Sequence, residues 1–221
     1  PQPSDRELDA LGRAIRDAGV RLVGLNFDGG DMAAGDRGLL ASPTGSARFR
    51  ANIDVAVGFA SGLGCRVMNA LYGNREPGVP AATQRRLAAE NLALAAEAAA
   101  RAGITVLVEA TNSYDNPRYG ITSSRAAFDL IDEVAAPNVA FLADLYHLHR
   151  MGEDLPALID HHAARFGHVQ IADVPGRGRP GTGAMPYPAL LTRLESSGYQ
   201  GYVGLEYKPN GPSTAEFDWL T

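Results

Sequence analysis

One cysteine, one lysine and five histidines are all that 221 residues supply of the side chains most used for disulfides, amine chemistry and histidine-rich metal clusters. Cys65 has no second cysteine to pair with, which excludes an internal disulfide. No apolar run reaches the roughly 20 residues that a bilayer crossing needs. The opening PQPSDRELDA is polar and proline-rich, unlike the basic-then-apolar pattern of a secretory leader. The expectation is a cytoplasmic protein without a membrane partner. Positive charge is also short, since 20 Lys and Arg against 25 Asp and Glu leave a net charge of -5. That balance argues against general electrostatic affinity for nucleic acid. What is abundant is hydrophobic residues, 45% of the chain, enough for one substantial core and one domain over residues 1–221.

The chain repeats a unit of amphipathic helix, glycine and short apolar strand. RDAGVRLVGLN, GLGCRVMNAL, ARAGITVLVEA and SSGYQGYVGLEY place Gly19, Gly64, Gly103 and Gly198 just after a helix, where a left-handed cap disfavours any residue with a Cβ. Strands are expected near 21–26, 66–71, 104–109, 139–144, 167–172 and 202–206. Their alternation with helices predicts a parallel sheet. AATQRRLAAENLALAAEAAARAG is built of strong helix formers, and its alanine-rich face should pack against the sheet. Ser123 and Asp154 are expected helix caps, the latter followed by Pro156 in the first turn. A full (β/α)8 barrel takes about 250 residues. Six strands after the opening helix SDRELDALGRAIRDAG predict a TIM barrel whose first two β/α units are absent from the chain, leaving strands 3 to 8.

Four of these strands end in an oxygen donor: Glu109 in TVLVEA, Asp144 in VAFLAD, Gln170 in HVQIAD and Glu206 in YVGLEY. Singly, an acidic residue after a strand is more often a helix cap. Four in succession at equivalent positions would converge at the mouth of a parallel barrel. Glu109 and Glu206 would stand nearly opposite each other, suited to moving protons on two faces of a substrate. Three carboxylates and an amide fit a hard divalent cation, Mg2+ or Mn2+, better than Zn2+. His147, three residues past Asp144, is placed to hold a substrate oxygen. His149, His161 and His162 are expected on the surface. His168 shares parity with Gln170 one layer deeper, where a core role and a site role stay open. The glycine-rich ADVPGRGRPGTGAMPY carries Arg177 and Arg179, and an arginine over such a site implies an acidic substrate or a phosphate. The long NFDGGDMAAGDRGLLASPTG stretch, with Asp31, Asp36 and Arg37, is long enough to imply a function.

At NFDGGDMAAGDRG, VEATN, DLYHLH, GHVQIADVPGRGRPGTG and GLEYKP the chain resembles the hydroxypyruvate isomerase family of xylose-isomerase-like barrels, over about residues 21–209. GHVQIADVPGR followed by PGTG is the most specific match. The resemblance implies that Glu109, Asp144, Gln170 and Glu206 bind the metal, with Glu109 and Glu206 doubling as the acid/base pair. It implies conversion of hydroxypyruvate to tartronate semialdehyde through a cis-enediolate; by their placement and by related barrels, His147 and Arg177 would hold the substrate's hydroxyl and carboxylate, with His168 a further candidate from its strand parity. The sequence departs from the family pattern at Ala184, where an acidic residue is usual, and at Met32, where an aromatic is usual. Four-carbon 2-oxo acids and free ketoses therefore stay in view as substrates, although ketose 3-epimerases usually carry His at the place of Gln170. An endonuclease IV-like phosphodiesterase would need more histidine and a basic rim. A non-catalytic binding remnant is the third class. Barrels of this kind are commonly dimers or tetramers, so a homo-oligomer is compatible with the reading.

Overall fold

A computed structural model describes residues 7–212 and Phe217. Seven α-helices among them alternate with six strands. They are α1 (Leu8–Asp17), β1 (Gly24–Asn26), α2 (Ser46–Gly62), β2 (Val67–Asn69), α3 (Ala81–Ala100), β3 (Thr105–Glu109), α4 (Ser124–Val134), β4 (Val139–Asp144), α5 (Leu145–Arg150), α6 (Leu155–His162), β5 (Phe166–Ile171), α7 (Tyr187–Ser196) and β6 (Val203–Leu205). All strands pair in parallel, in chain order. This is a TIM-barrel-like α/β fold with a six-stranded sheet. Ser4, Asp5 and Arg6 of the expected first helix lie outside the described residues. No helix among the described residues is long and apolar enough to cross a membrane.

The helix ends follow the sequence chemistry. Gly19, Gly64, Gly103 and Gly198 all take positive φ, between 64° and 80°. Ser123 accepts a hydrogen bond from Ala126 N, and Asp154 accepts one from Ala157 N. The α4–β4 junction has no glycine, and there Ala135 itself adopts φ 52°. Helix α3 buries Ala88, Leu92, Ala95, Ala96 and Ala99, so small side chains bring it close to the neighbouring elements. The rings of Phe128 on α4, Phe141 and Phe166 pack against one another at tilted angles, and His162 lies 4.9 Å from Phe128, half-buried instead of on the expected surface.

Register decides what the inner face presents. Asn69 pairs with Leu107, Glu109 with Leu142, Asp144 with Gln170, and Gln170 with Gly204. Side chains two apart on a strand share a face. Asn69, Glu109, Asp144, Gln170 and Glu206 therefore point to one side of the sheet at its carboxyl end. Arg21 Nη1 donates to Tyr202 Oη at 2.6 Å, tying the chain before β1 to the start of β6.

Candidate metal and active site

The carboxyl ends of β3 and β4 form the buried floor. Glu109 Oε2 accepts a 2.7 Å hydrogen bond from Asn69 Nδ2, which fixes the carboxylate from the β2 side. Asp144 uses one oxygen as the N-cap of α5, accepting from Tyr146 N at 2.9 Å and His147 N at 3.2 Å. Its other oxygen faces His147 Nε2 at 3.5 Å and Arg177 Nη2 at 3.5 Å. Glu109 Oε1 lies 4.0 Å from the same His147 nitrogen. Ligand atoms of Glu109, Asp144 and His147 fall within 4.8 Å of one another.

Burial sets the protonation of this floor. It is the largest cause of a Glu109 pKa raised to about 8, reinforced by the charges of Asp144 and Glu206. Burial and then Glu206 raise Asp144 as well. His147 is pushed down to about 3, by burial first and Arg177 second, so its imidazole is neutral. Its Nδ1 faces Asn112 N at 3.3 Å and Asn112 Nδ2 at 2.6 Å, both of them donors. An Nδ1 that accepts leaves the proton on Nε2, the nitrogen turned toward the carboxylates. In this hydrogen-bond pattern His147 is a donor there, although Glu109, Asp144 and His147 are together the cluster whose ligand atoms could hold an ion.

The carboxyl ends of β5 and β6 are arranged by a loop. Glu206, just past β6, keeps 48% of its side-chain exposure and pairs with Arg177 Nη2 at 2.9 Å. The same nitrogen reaches Asp144, so Arg177 bridges two of the expected ligands. Arg177 Nε also donates to the Glu206 carbonyl at 3.1 Å, while Lys208 N donates back to the Arg177 carbonyl at 2.7 Å. Asp173 organises the loop. Its Oδ1 accepts from Val174 N at 2.9 Å and Met185 N at 3.0 Å, and its Oδ2 from Gly181 N at 2.8 Å.

Glu109, His147, Gln170, Arg177 and Glu206 line one cavity of about 220 Å³ at the mouth. That is smaller than drug-sized sites and suits a substrate of few atoms. Arg37 and Asn116 close it from the loops. His168 lines a separate, deeper space of about 390 Å³ with Asn69, Gln170, Leu107 and Leu142. The structure does not bring it into the mouth. His149 and His161 are exposed, as expected.

The donor set fits a divalent cation by its unmet valences. Gln170 Oε1 is buried without a hydrogen-bond partner among the described residues. It stands beside two buried carboxylates whose mutual repulsion a cation would relieve. Asn69 Oδ1 and Thr111 Oγ1 are likewise buried without partners. The second strand, expected to run to 71, ends at Asn69, so Asn69 closes its strand as Glu109 closes β3, a position the sequence pattern does not mark. Asn112, which orients His147, follows no strand-end rule and is visible only in three dimensions.

Known proteins are similar to this chain over nearly its whole length. The family model described as a xylose isomerase-like TIM barrel matches residues 1–221. A Streptomyces coelicolor protein provisionally named as a hydroxypyruvate isomerase is 57% identical over 226 residues, covering 100% of this chain and 81% of its own length. A 2-oxo-tetronate isomerase from Cupriavidus necator is 36% identical, covering 94% of this chain and 80% of its own length. A Brucella melitensis crystal structure described as an AP endonuclease of family 2 superposes with a TM-score of 0.93 at 39% identity, covering 99% of this chain and 84% of that one.

Proposed function

The chain belongs to the hydroxypyruvate isomerase family of xylose isomerase-like TIM barrels, and on that premise we propose that it is a metal-dependent isomerase interconverting hydroxypyruvate and tartronate semialdehyde. The observation that carries the reading is the unpartnered Gln170 Oε1 beside the buried Glu109 and Asp144 carboxylates. Glu109, Asp144, Gln170 and Glu206 would hold the ion, and an all-oxygen set favours Mg2+ or Mn2+. Once bound, the metal supplies positive charge against the oxygens on which negative charge develops.

The protein's own residues account for the proton movements. Glu109 and Glu206 approach the cavity from β3 and β6 and form the acid/base pair. One carboxylate removes a proton from C3, the carbon bearing the hydroxyl, and the C3–H electron pair forms the C2–C3 double bond of a cis-enediolate. The C2 carbonyl pair moves onto its oxygen; a proton is then delivered to C2 while the proton lost by the C3 hydroxyl is taken up by the C2 oxygen, leaving an aldehyde at C3 and a hydroxyl at C2. Substrate and product are isomers, so no oxidant or reductant enters. His147 Nε2–H donates to a substrate oxygen, and its low pKa keeps it a neutral donor that does not compete with the glutamates for protons. Arg177 is committed to Glu206 and Asp144, so its contacts favour holding the β6 carboxylate in place over gripping substrate.

A four-carbon 2-oxo acid is the second reading. It is favoured by Met32 at the cavity wall, a flexible side chain that is 50% exposed. A multi-zinc nuclease would need more histidine than the single His147 that lines this cavity. The test is NMR of hydroxypyruvate in D2O with Mn2+ or Mg2+, on wild type and Glu206→Gln. Tartronate semialdehyde carrying solvent deuterium at C2, formed by wild type alone, is the expected result. Turnover of only the four-carbon acid moves the assignment to the second reading, and inert metal-loaded wild type overturns both.

A further inference from the structure

We infer that Arg37, in the loop between β1 and α2, is the residue that binds the substrate's carboxylate and so confines this site to acidic substrates. The inference rests on the proposed isomerase reading and deepens it. Two arginines line the mouth cavity, Arg37 and Arg177, and they differ in what they already hold. Arg177 is spent on the protein's own carboxylates, at 2.9 Å from Glu206 and 3.5 Å from Asp144. Arg37 touches no carboxylate among the described residues. Its Nε donates to Asn116 Oδ1 at 3.0 Å, and its Nη1 donates to the carbonyls of Asp36 at 2.6 Å and Met32 at 3.2 Å. All three acceptors are neutral, and Nη2 donates to nothing among the described residues.

The side chain is thus positioned without being neutralised. Holding a guanidinium through Nε and one Nη leaves its orientation fixed and one edge free, which suits a carboxylate. The backbone around it is built to keep that posture. Asp36 Oδ2 accepts from Asp31 N at 2.8 Å, and Gly38 N donates to the Gly29 carbonyl at 2.9 Å. Gly38 takes φ 129° against the Leu71 carbonyl, where a Cβ would collide with that backbone. The loop therefore cannot swing Arg37 away without breaking its seat on the sheet. With the reacting carbons near Glu109 and Glu206, a carboxylate on Arg37 sets which end of a short acid faces the bases.

The experiment compares wild type, Arg37→Gln, Arg37→Lys and Arg177→Gln, all loaded with Mn2+. Calorimetry would measure binding of tartronate, a non-reacting acid, and of dihydroxyacetone, a neutral triose. Steady-state assays would use hydroxypyruvate. Losing a charge-assisted contact of this kind costs on the order of 10- to 100-fold in affinity. Arg37→Gln should raise the tartronate Kd and the hydroxypyruvate KM by that factor, with dihydroxyacetone and Mn2+ affinities unchanged. Arg37→Lys should recover part of the loss, and Arg177→Gln should lower kcat more than it raises KM. Arg37→Gln keeps a donor for Asn116, so a folding defect is not built in, and its Tm reports one directly. The inference is overturned by a folded Arg37→Gln that binds tartronate within about twofold of wild type. It is equally overturned by wild type that prefers the neutral triose. Wild type that binds tartronate through Arg37 but leaves hydroxypyruvate unchanged keeps this inference and removes only the proposed substrate.

Discussion

The two halves of the mouth are held by different means. On the β3–β4 side Glu109 and Asp144 are 6% and 1% exposed, and their partners come from strand ends and the first turn of α5. On the β5–β6 side Glu206 keeps 48% of its side-chain exposure and is placed by Arg177, which a loop presents at φ 59°. A non-glycine residue in that region carries strain unless its surroundings compel it, and here Asp173 and Lys208 N do so. The buried half can keep a cation's charge unscreened. The exposed half can exchange protons with solvent and admit substrate. On the proposed isomerase reading, the difference would give metal binding mainly to one side and proton traffic mainly to the other.

The largest effects should separate the halves. Glu206→Gln should cut kcat by on the order of 10²- to 10⁴-fold while the protein still binds Mn2+, whereas Asp144→Asn should lose both metal and activity. Calorimetric Mn2+ titration beside the isomerase assay checks this, and equal metal loss in both variants would erase the division. Next in size is Asp173→Asn, which replaces an acceptor of the Gly181 N–H by an amide that can present a donor there. A loss of about 1–3 kcal/mol is expected. Protease sensitivity should rise at residues 174–185 alone, and kcat should fall through Arg177 and Glu206 with Mn2+ affinity held.

The pH dependence of the metal-free protein probes the buried half by itself. Glu109 is raised from 4.5 to about 8, so its stabilising effect is complete at acid pH and is lost as pH climbs through 8. Asp144, also raised, acts in the same direction. His147, depressed to about 3, opposes them only below its ordinary 6.5, because there unfolding takes up a proton. Between pH 6.5 and 8 the chelated protein should therefore lose about 2 kcal/mol. Mn2+ should restore more of that stability at pH 8 than at 6.5, since binding must displace protons. Thermal melts at the two values, with chelator and with metal, decide it. A flat chelated profile would mean that the two carboxylates do not share one dry site.

Much of the buried half was legible in the sequence. A carboxylate closing an apolar strand is a local pattern, and parallel pairing converts equal strand position into spatial convergence, so Glu109, Asp144 and Gln170 could be grouped from order alone. In the exposed half Glu206 follows the same strand-end rule, but the loop that holds it was legible only as residue types. GRGRPGTG announces a loop and two arginines, but whether Arg177 meets substrate or Glu206 depends on where the loop docks, a contact 29 residues apart. Arg37 was legible as a residue of a long loop, but not its seat on Asn116, which spans 79 residues. His168 shows the limit of parity, which fixes the face of the sheet but not the depth at which a side chain meets a cavity.

The smallest prediction concerns the frame under the buried half. Four helix ends in the repeat carry glycine, but α4 ends on Ala135, left-handed at φ 52° and exposed. Alanine pays a steric cost in that region that glycine avoids, while glycine gives the unfolded chain more freedom to lose. The first effect should win at a fixed left-handed cap, so Ala135→Gly should stabilise the protein by about 0.5–1 kcal/mol, or roughly 1–3 °C in Tm. Ala135 lies three residues before Asn138, whose amide ties α3 and β3 to the start of β4 through the carbonyls of Ala96 and Ile104. If the site's geometry is set at the carboxyl ends of the strands, relieving strain at this opposite end should leave KM, kcat and Mn2+ affinity untouched. A change in Mn2+ affinity without a change in KM would instead show that β4 transmits its amino-terminal packing to Asp144, and that the buried half is less self-contained than its hydrogen bonds imply.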